Sequence, residues 1–270
     1  MTWILVTNDD GIDAAALPPL ARAIGEVAPI RVVVPDTERS WIGKAITRDD
    51  PIRVESVTRD GIEMFATSGY PADCVQVAIN VMFDTPPSLV VSGINLGFNH
   101  GTAYLQSSGT VGAVLEAYIG GIDGLALSTG TPNGYGGNFR DWRNWALSKD
   151  SASMWERLAA ISAEMAAGML QGGHMGVTVN VNFPQDADLT TERRLTTVAD
   201  TGYGQLFREE SPGVYVHDYR GLLHHRSVPD GTDVATVNGG VISVAAVRSI
   251  SETYMPAPLP SLLGVTDTTD

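Results

Sequence analysis

The first 34 residues alternate between strand-like and helix-like patterns, and this alternation constrains the fold more than any other feature of the sequence. Residues 2–7 and 30–34 are short, largely apolar runs, as expected of strands that are buried on both faces. Residues 14–28 carry apolar side chains at helical spacing, with Pro18 and Pro19 near the first turn, where a missing N–H costs little. A strand, a helix and a strand predict a right-handed crossover and a parallel sheet.

The chain continues this α/β pattern to about residue 190. The sequence predicts further strands at residues 88–92, 124–128 and 177–183, helices at residues 71–83, 110–120 and 151–170, and a β-hairpin over residues 52–66. Residues 129–148, dense in Gly, Asn and Trp, are interpreted as a long excursion from the core. Cys74 is interpreted as a small buried hydrophobic side chain on a helix.

The pattern changes after residue 193, where helical periodicity disappears. Strand-like runs remain at residues 195–199, 213–219, 234–237 and 241–247. We therefore expect an α/β fold, with a mostly parallel sheet flanked by helices over residues 1–190 and a β-rich C-terminal extension over residues 191–270. The extension would include a late core strand at about 241–247 and a C-terminal arm at residues 254–270.

Composition limits the location and the partners. No apolar run approaches the roughly 20 residues that span a bilayer, and the N-terminus lacks a signal-peptide pattern. With a single cysteine, these features predict a cytoplasmic protein that does not bind membranes. A formal net charge of −14 disfavours binding to a nucleic-acid polymer. It still allows a small phosphate ester, because a bound metal ion can reverse the field within one pocket.

The turn after the first predicted strand, Asn8-Asp9-Asp10-Gly11, is the strongest candidate for chemistry. Two adjacent carboxylates at the end of a buried strand repel each other and are costly to desolvate unless a cation lies between them. Mg²⁺ and Mn²⁺ prefer such oxygen ligands. Taken alone, the turn fits equally well with a helix cap and one solvated carboxylate.

Polar side chains also follow the second and third predicted strands, which favours the metal hypothesis. Ser40 follows the second strand, and Asn95 and Asn99 follow the third. Open parallel sheets bind ligands outside the carboxyl ends of their strands, so these side chains are expected to meet the carboxylate pair. Two carboxylates, a hydroxyl and an amide carbonyl suit one hard divalent ion, with water completing its shell.

Ser108, Gly109 and Thr110 open the helix predicted at residues 110–120. The N-terminus of a helix offers unpaired N–H groups and the positive end of the dipole, which suit a phosphoryl group. An ordinary Ser or Thr cap is the more common explanation for such a tripeptide by itself. His100, in the preceding loop, is a weaker candidate for a proton donor.

Several short motifs occur in an order that resembles the survival protein E (SurE) family of metal-dependent 5'/3'-nucleotidases. They are ILVTNDDG at residues 4–11, PDTERS at 35–40, GYPADCV at 69–75, VSGINLG at 91–97, SGTV at 108–111, NVNFP at 180–184 and GTDVA at 231–235. The resemblance implies a Rossmann-like core whose C-terminal segment and hairpin are exchanged between subunits in a homodimer or homotetramer.

The resemblance also implies a site and a reaction. One divalent metal ion per subunit, Mg or Mn, would be held by Asp9, Asp10, Ser40 and Asn95. Phosphate would bind at Ser108, Gly109 and Thr110, near Asn99, and the catalytic residues would be Asp9, Asp10 and Asn8. The implied reaction is hydrolysis of nucleoside 5'- and 3'-monophosphates to nucleoside and phosphate, with short polyphosphate as a further substrate.

Two segments depart from the family pattern. Ala245-Ala246-Val247-Arg248 replaces a run that resembles Thr-Pro-Leu-His, so that Arg248 stands in place of a histidine, and Trp41-Ile42-Gly43-Lys44 replaces a more polar loop of small residues. If the histidine assists the leaving group, its role is lost or passes to Arg248. The alternative is therefore a catalytically impaired nucleotide- or metal-binding protein. A metal-dependent glycosyltransferase fits the carboxylate pair but not the later motifs.

Overall fold

The computed structural model describes residues 2–131, 139–219 and 223–248. Within these ranges, nine strands form one main sheet flanked by helices, which confirms the predicted α/β class. In spatial order its strands are β3 (Val54–Arg59), β4 (Ile62–Thr67), β2 (Ile30–Pro35), β1 (Ile4–Thr7), β5 (Leu89–Leu96), β6 (Gly124–Gly130), β7 (Thr178–Pro184), β13 (Ile242–Val247) and β8 (Arg193–Leu195).

The centre of the main sheet is parallel. Strand β1 pairs in parallel with β2 and β5, and the parallel pairing continues through β6 to β7. The predicted hairpin is the antiparallel pair β3 and β4 at one edge. Strand β13 pairs antiparallel with β7. The carboxyl ends of the central strands therefore lie at one end of the sheet, as the βαβ pattern predicts.

Helices cover both faces of the sheet. They are α1 (Leu17–Gly25), α2 (Pro71–Val77), α3 (Gly101–Ser107), α4 (Gly109–Ile119), α5 (Phe139–Ala146), α6 (Ala152–Gly172) and α7 (Asp233–Asn238). Residues of α1 and α6 pack in one apolar cluster with the sheet, and residues of α2 and α4 pack in a second. Cys74 is buried in the second cluster, as predicted.

The extension contains two further strand pairs. Strand β9 (Asp200–Tyr203) pairs antiparallel with β12 (Leu223–Ser227), and β10 (Phe207–Ser211) forms a hairpin with β11 (Val214–His217). Strands β8 and β13 belong to the main sheet, although both lie beyond residue 190. The C-terminal arm predicted at residues 254–270 lies outside the described residues.

One predicted element was wrong in type, and two helices were not predicted. Residues 234–237, predicted as a strand, lie in helix α7, which Thr232 caps by accepting a hydrogen bond from the N–H of Ala235. A short apolar run cannot distinguish a strand from a buried helical turn, and the cap decides it here. Helix α3 was missed, because its sequence is rich in Gly, Ser and Thr. The excursion at residues 129–148 includes helix α5, although its residues 132–138 lie outside the described ranges.

Candidate active site

Asn8 shapes the turn that follows β1. Its Oδ1 accepts a hydrogen bond from the N–H of Gly11 and its Nδ2 donates to the Gly11 carbonyl, both at 3.0 Å. Gly11 has φ +87°, and a Cβ at this position would lie 2.8 Å from the carbonyl carbon of Thr37. Both ends of the buried Asn8 amide are thus occupied within the turn, and this side chain holds the carboxylate pair in place.

The two carboxylates are attached to different elements of the core. Asp9 is buried and its Oδ1 accepts a hydrogen bond of 2.6 Å from Thr110 at the start of α4. The Oδ2 of Asp10 accepts a hydrogen bond of 3.2 Å from the N–H of Leu96, the last residue of β5. Residues more than 80 positions apart therefore orient the pair.

Burial raises the pKa of both carboxyl groups. The pKa of Asp9 rises from 3.8 to about 6 because of desolvation, although the hydrogen bond from Thr110 opposes this shift. Desolvation also raises the pKa of Asp10 well above its usual range, and the charges of Asp9 and Glu38 add to the effect. Two adjacent carboxylates whose pKa values both rise on desolvation favour a bound cation, so the donor set fits a hard divalent metal ion.

Ser40 and Asn95 meet Asp9 at one small cavity of about 50 Å³, which Asn99 and Ser108 also line. The Oγ of Ser40 donates to Oε1 of Glu38 at 2.7 Å, which leaves the lone pairs of the hydroxyl for another partner. The Nδ2 of Asn95 donates to the carbonyl of Gly97 at 2.7 Å, a bond that uses the amide nitrogen and not the oxygen. These contacts are compatible with oxygen ligation of a metal ion by both side chains.

A bulge in β5 directs the side chain of Asn95 toward the cavity. The sequence predicted that this strand ends at residue 92, but β5 continues to Leu96 with a shift of register between Ser92 and Asn95. Gly93 permits the shift, because it has φ +136° and a Cβ would collide with the carbonyl oxygen of Leu127. Bulges of this kind redirect side chains next to functional sites.

The start of α4 forms the opposite wall of the site. Ser108 is the N-cap of α4 and accepts a hydrogen bond of 3.1 Å from the N–H of Val111, so the ordinary-cap interpretation is correct for this residue. Gly109 lies directly against Asp9, and the hydroxyl of Thr110 is used in its bond to Asp9. The N–H of Val111 bonds to Ser108 and the backbone of Thr110 bonds to Asp9, so the groups left for a phosphoryl oxygen are the Ser108 hydroxyl and the N–H of Gly109.

Asn99 is held by polar side chains from two neighbouring strands. Its Nδ2 donates to the hydroxyl of Ser128 on β6 at 2.8 Å. Its backbone N–H donates to Asn182, and its carbonyl accepts a hydrogen bond from Asn180, both on β7 and both at 2.8 Å. Both asparagines belong to the motif NVNFP at residues 180–184, but no role was predicted for either of them. Their spacing of two residues on a strand, which places both on one face, was the available signal.

A contact between helix α5 and the loop that carries Glu38 and Ser40 was not predicted from the sequence. Arg143 on α5 donates from Nη2 to Oε2 of Glu38 at 2.7 Å, and Glu38 accepts the hydrogen bond from Ser40 through its other oxygen. The positive charge of Arg143 partly opposes the rise in the pKa of Asp10 that desolvation causes. A cleft of about 330 Å³, lined by Ile12, Arg143 and other residues, opens beside Asp10.

Arg248 does not lie at this site within the subunit. The residue follows Val247, which pairs with Thr178 at the beginning of β7, whereas Ser243 pairs with Asn182 near the site. Strand β13 runs antiparallel to β7, so Arg248 lies at the opposite end of the sheet. The expectation that Arg248 could stabilise charge at the phosphoryl group is therefore wrong for residues of a single chain.

No group of three or more His, Cys, Asp or Glu side chains in the described ranges could hold a metal ion. No helix there is both long enough and apolar enough to cross a membrane. The carboxylate pair of Asp9 and Asp10, completed by Ser40 and Asn95, remains the candidate metal centre.

The fold and the site define a Rossmann-like α/β protein with a carboxylate pair after its first strand and a helix N-terminus facing that pair. The family model of survival protein SurE matches residues 4–205, and the chain belongs to the SurE family. It is 33% identical to the 5'-nucleotidase SurE of Methanopyrus kandleri over 91% of each chain. It is 35% identical to that of Heliobacterium modesticaldum, over 91% of this chain and 85% of the relative.

A solved structure supports the same assignment. The crystal structure of the SurE protein from Aquifex aeolicus matches with a TM-score of 0.69 and 25% sequence identity. The match covers 91% of this chain and 93% of the Aquifex chain. The similarity therefore extends through the β-rich part of the chain and is not limited to the first motifs.

Proposed function

We propose that this protein is a divalent-metal-dependent phosphomonoesterase that hydrolyses nucleoside 5'-monophosphates to nucleoside and phosphate. The observation that carries the proposal is the contact between the buried Asp9 carboxylate and the N-terminus of α4, which brings a cation site and an anion site together. Relatives that are 33% and 35% identical over most of their length are named 5'-nucleotidase SurE, which supports the substrate class.

The residues proposed to hold the metal are Asp9, Asp10, Ser40 and Asn95. One divalent ion per subunit, Mg²⁺ or Mn²⁺, fits this set of oxygen donors. When bound, such an ion neutralises phosphate oxygens and lowers the pKa of a coordinated water. The hydrogen bonds from Thr110 and from the N–H of Leu96 hold the two carboxylates in position for this role.

The other side chains bind and orient the substrate. Ser108 and the N–H of Gly109 stabilise negative charge on the phosphoryl oxygens, and Asn99 borders the same cavity. Thr110 contributes to the phosphate site by holding Asp9 through its side chain and its backbone. Asp9 orients the water that attacks phosphorus in line with the leaving oxygen. Asn8 contributes by holding the turn and does not contact the substrate in this proposal.

The proposal extends to finer points of specificity and assembly. Nucleoside 3'-monophosphates and short polyphosphate are proposed as further substrates, because they present the same terminal phosphoryl group. The protein is proposed to act in the cytoplasm without binding nucleic-acid polymers or membranes. A homodimer or homotetramer is proposed, with residues 191–270 contributing to the contact between subunits.

The alternative of a catalytically impaired binding protein rests on the arginine at position 248. Because Arg248 lies at the far end of β13 from the site, its presence gives no reason for lost activity within one subunit. We expect Arg248→Ala to change kcat/KM by less than about twofold, which is within the usual range for exposed residues outside a site. A loss of about a hundredfold would instead show that Arg248 of a partner subunit supports catalysis, whereas the impaired alternative predicts that the wild type itself does not hydrolyse AMP.

A phosphate-release assay tests the proposed function. Purified protein is assayed with AMP, 3'-AMP and tripolyphosphate in the presence of Mg²⁺ or Mn²⁺, with and without EDTA. The proposal expects turnover of AMP that EDTA abolishes, and no turnover by Asp9→Asn at unchanged circular dichroism. Asp49→Asn, at a side chain that is 90% exposed, is the matched control and should keep full activity. EDTA-sensitive turnover by Asp9→Asn would contradict the site assignment.

A further inference from the structure

We propose that an aromatic cluster around Trp41 binds the nucleobase of the substrate and makes the enzyme selective for nucleotides, with purines favoured. This inference rests on the proposed nucleotidase function and names the subsite that recognises the nucleoside. The cluster consists of Trp41, Tyr104, Tyr203, His217 and Tyr219. Trp41 belongs to the loop that departs from the family pattern.

Trp41 is at the centre of the cluster. Its ring centroid lies 6.0 Å from that of Tyr104, 5.6 Å from Tyr203, 5.2 Å from His217 and 5.1 Å from Tyr219. The Tyr104 and Tyr219 hydroxyls are hydrogen-bonded at 2.8 Å. Core and extension therefore both supply rings, and the contacts between the rings are mostly edge-to-face. Such packing orders the aromatic side chains before a ligand arrives.

The cluster adjoins the proposed phosphate and metal site. Trp41 directly follows Ser40, and the small cavity that holds Asp9 and Ser108 is also lined by Trp41 and Tyr104. In a nucleoside monophosphate the base is separated from the phosphate only by the sugar. A substrate whose phosphate binds at Ser108 therefore brings its base to the nearest aromatic surface, which Trp41 and Tyr104 provide.

The backbone at Trp41 supports a specific role for this side chain. Trp41 has φ +62°, a conformation that is strained for a residue with a bulky side chain. The side chain is only half-buried, so part of the indole remains accessible. A strained, partly exposed tryptophan beside a metal ligand is better explained by a ligand contact than by packing alone.

The larger cleft beside Asp10 is the competing location for the nucleoside. It has a volume of about 330 Å³, and its lining combines apolar residues such as Ile94, Leu96 and Leu147 with four acidic side chains and Arg143. Ser108, the proposed phosphate-binding residue, does not line this cleft, and the one aromatic residue that the structure describes there, Trp155, is only 3% exposed. Trp41 and Tyr104 line the same cavity as Ser108, and stacking on an aromatic ring is favourable for every base. The aromatic cluster is therefore the better match.

The test compares a substrate that has a base with one that lacks it. KM and kcat are measured with AMP and with glycerol 2-phosphate for the wild type and for Trp41→Asn, which removes the rings but tolerates positive φ. Loss of one stacking contact is expected to raise KM for AMP by about 5- to 100-fold, while KM for glycerol 2-phosphate changes by less than about twofold. The preference for AMP over CMP should narrow in the same variant.

Two further variants make the result interpretable. Trp41→Phe keeps a stacking surface and should restore KM for AMP to within about threefold of wild type. Trp145→Asn makes the same change at a tryptophan that is 39% exposed on α5 and should leave both KM values unchanged. Equal effects of Trp41→Asn on both substrates, or no effect on either, would overturn the inference. Failure of the wild type to hydrolyse either substrate would instead contradict the proposed function.

Discussion

Gly109 and Asp9 lie so close together that only a hydrogen atom fits between them. A Cβ on Gly109 would lie 2.8 Å from Cβ of Asp9 and 2.9 Å from its Oδ2. The neighbouring Thr110 donates a hydrogen bond of 2.6 Å to the other oxygen of the same carboxylate. The start of α4 therefore determines where the first carboxylate of the pair can be.

Gly109→Ala is expected to weaken metal binding by at least about tenfold, because the added methyl group displaces Asp9 from its place beside Ser40 and Asn95. Isothermal titration calorimetry with Mn²⁺ measures the effect without relying on turnover. Gly168→Ala on α6 is the control, since a Cβ there meets no heavy atom of the described residues within 4 Å. That control should stabilise the protein by about 0.5–1 kcal/mol and leave metal affinity unchanged.

Asp9→Asn is expected to stabilise the metal-free protein at neutral pH. Burial raises the pKa of Asp9 from 3.8 to about 6, so the folded state holds the proton more tightly than the unfolded chain. The stability that this group contributes is complete below pH 3.8 and is lost as the pH rises through about 6. At about pH 8 the variant should therefore gain about 1–3 kcal/mol in free energy of unfolding, and at about pH 4 almost nothing.

Urea unfolding in EDTA at the two pH values measures this difference. Added Mg²⁺ or Mn²⁺ should then stabilise the wild type and not Asp9→Asn, because a ligand stabilises only the state that binds it. Asp49→Asn, at the exposed control position, should respond to pH and metal as the wild type does. An equal gain at both pH values would show that charge burial at Asp9 does not limit stability.

Glu38→Gln is expected to raise the metal dissociation constant by about three- to tenfold, because it removes a negative charge near the pair while keeping an acceptor for Ser40. Glu38→Ala should weaken binding further, by about 10- to 100-fold, since Ser40 loses its partner. Calorimetry with Mn²⁺ on EDTA-stripped protein measures both. Glu55→Gln, on the exposed face of β3, should bind like the wild type, and unchanged affinity in Glu38→Ala would argue against a positioning role.

Asn8→Ala is expected to destabilise the fold by about 2–4 kcal/mol, because the N–H and the carbonyl of Gly11 both lose a buried partner. Urea unfolding in EDTA measures the loss. The geometry assigns Asn8 to the turn, so turnover should fall mainly through displacement of Asp9 and Asp10. A variant that unfolds like the wild type yet loses all turnover would instead assign Asn8 a direct contact with the substrate.

Much of the fold followed from local patterns in the sequence. The strand, helix and strand in the first 35 residues, the prolines at the start of α1 and the hairpin of β3 and β4 were all correct in type. Each of these features depends on side-chain periodicity or turn residues within a few positions of one another. The strand predicted at residues 241–247 was also correct and is β13. The strand predicted at residues 234–237 lies instead in helix α7, because four residues are too few to distinguish the periodicity of a strand from that of a helix.

Part of the candidate site was likewise predicted from the sequence, and part was shown only by the structure. The sequence located the residues that the structure brings together at the cavity, namely Asp9, Ser40, Asn95, Asn99 and Ser108, because all follow predicted strands or begin a helix. The sequence did not reveal that Glu38 accepts hydrogen bonds from both Arg143 and Ser40. It also did not reveal that Trp41 contacts four other aromatic rings. Those contacts depend on how α5 and the extension pack, which no short pattern specifies.

By itself, the sequence determined the α/β class and the carboxylate pair at the end of β1, since both are set by local periodicity and turn chemistry. Only the tertiary structure decided that Thr110, 101 residues away, holds Asp9, and that Arg248 lies at the far end of the sheet. The reason is that strand register and helix docking result from packing between distant segments. Residues distant in sequence meet only after that packing is complete.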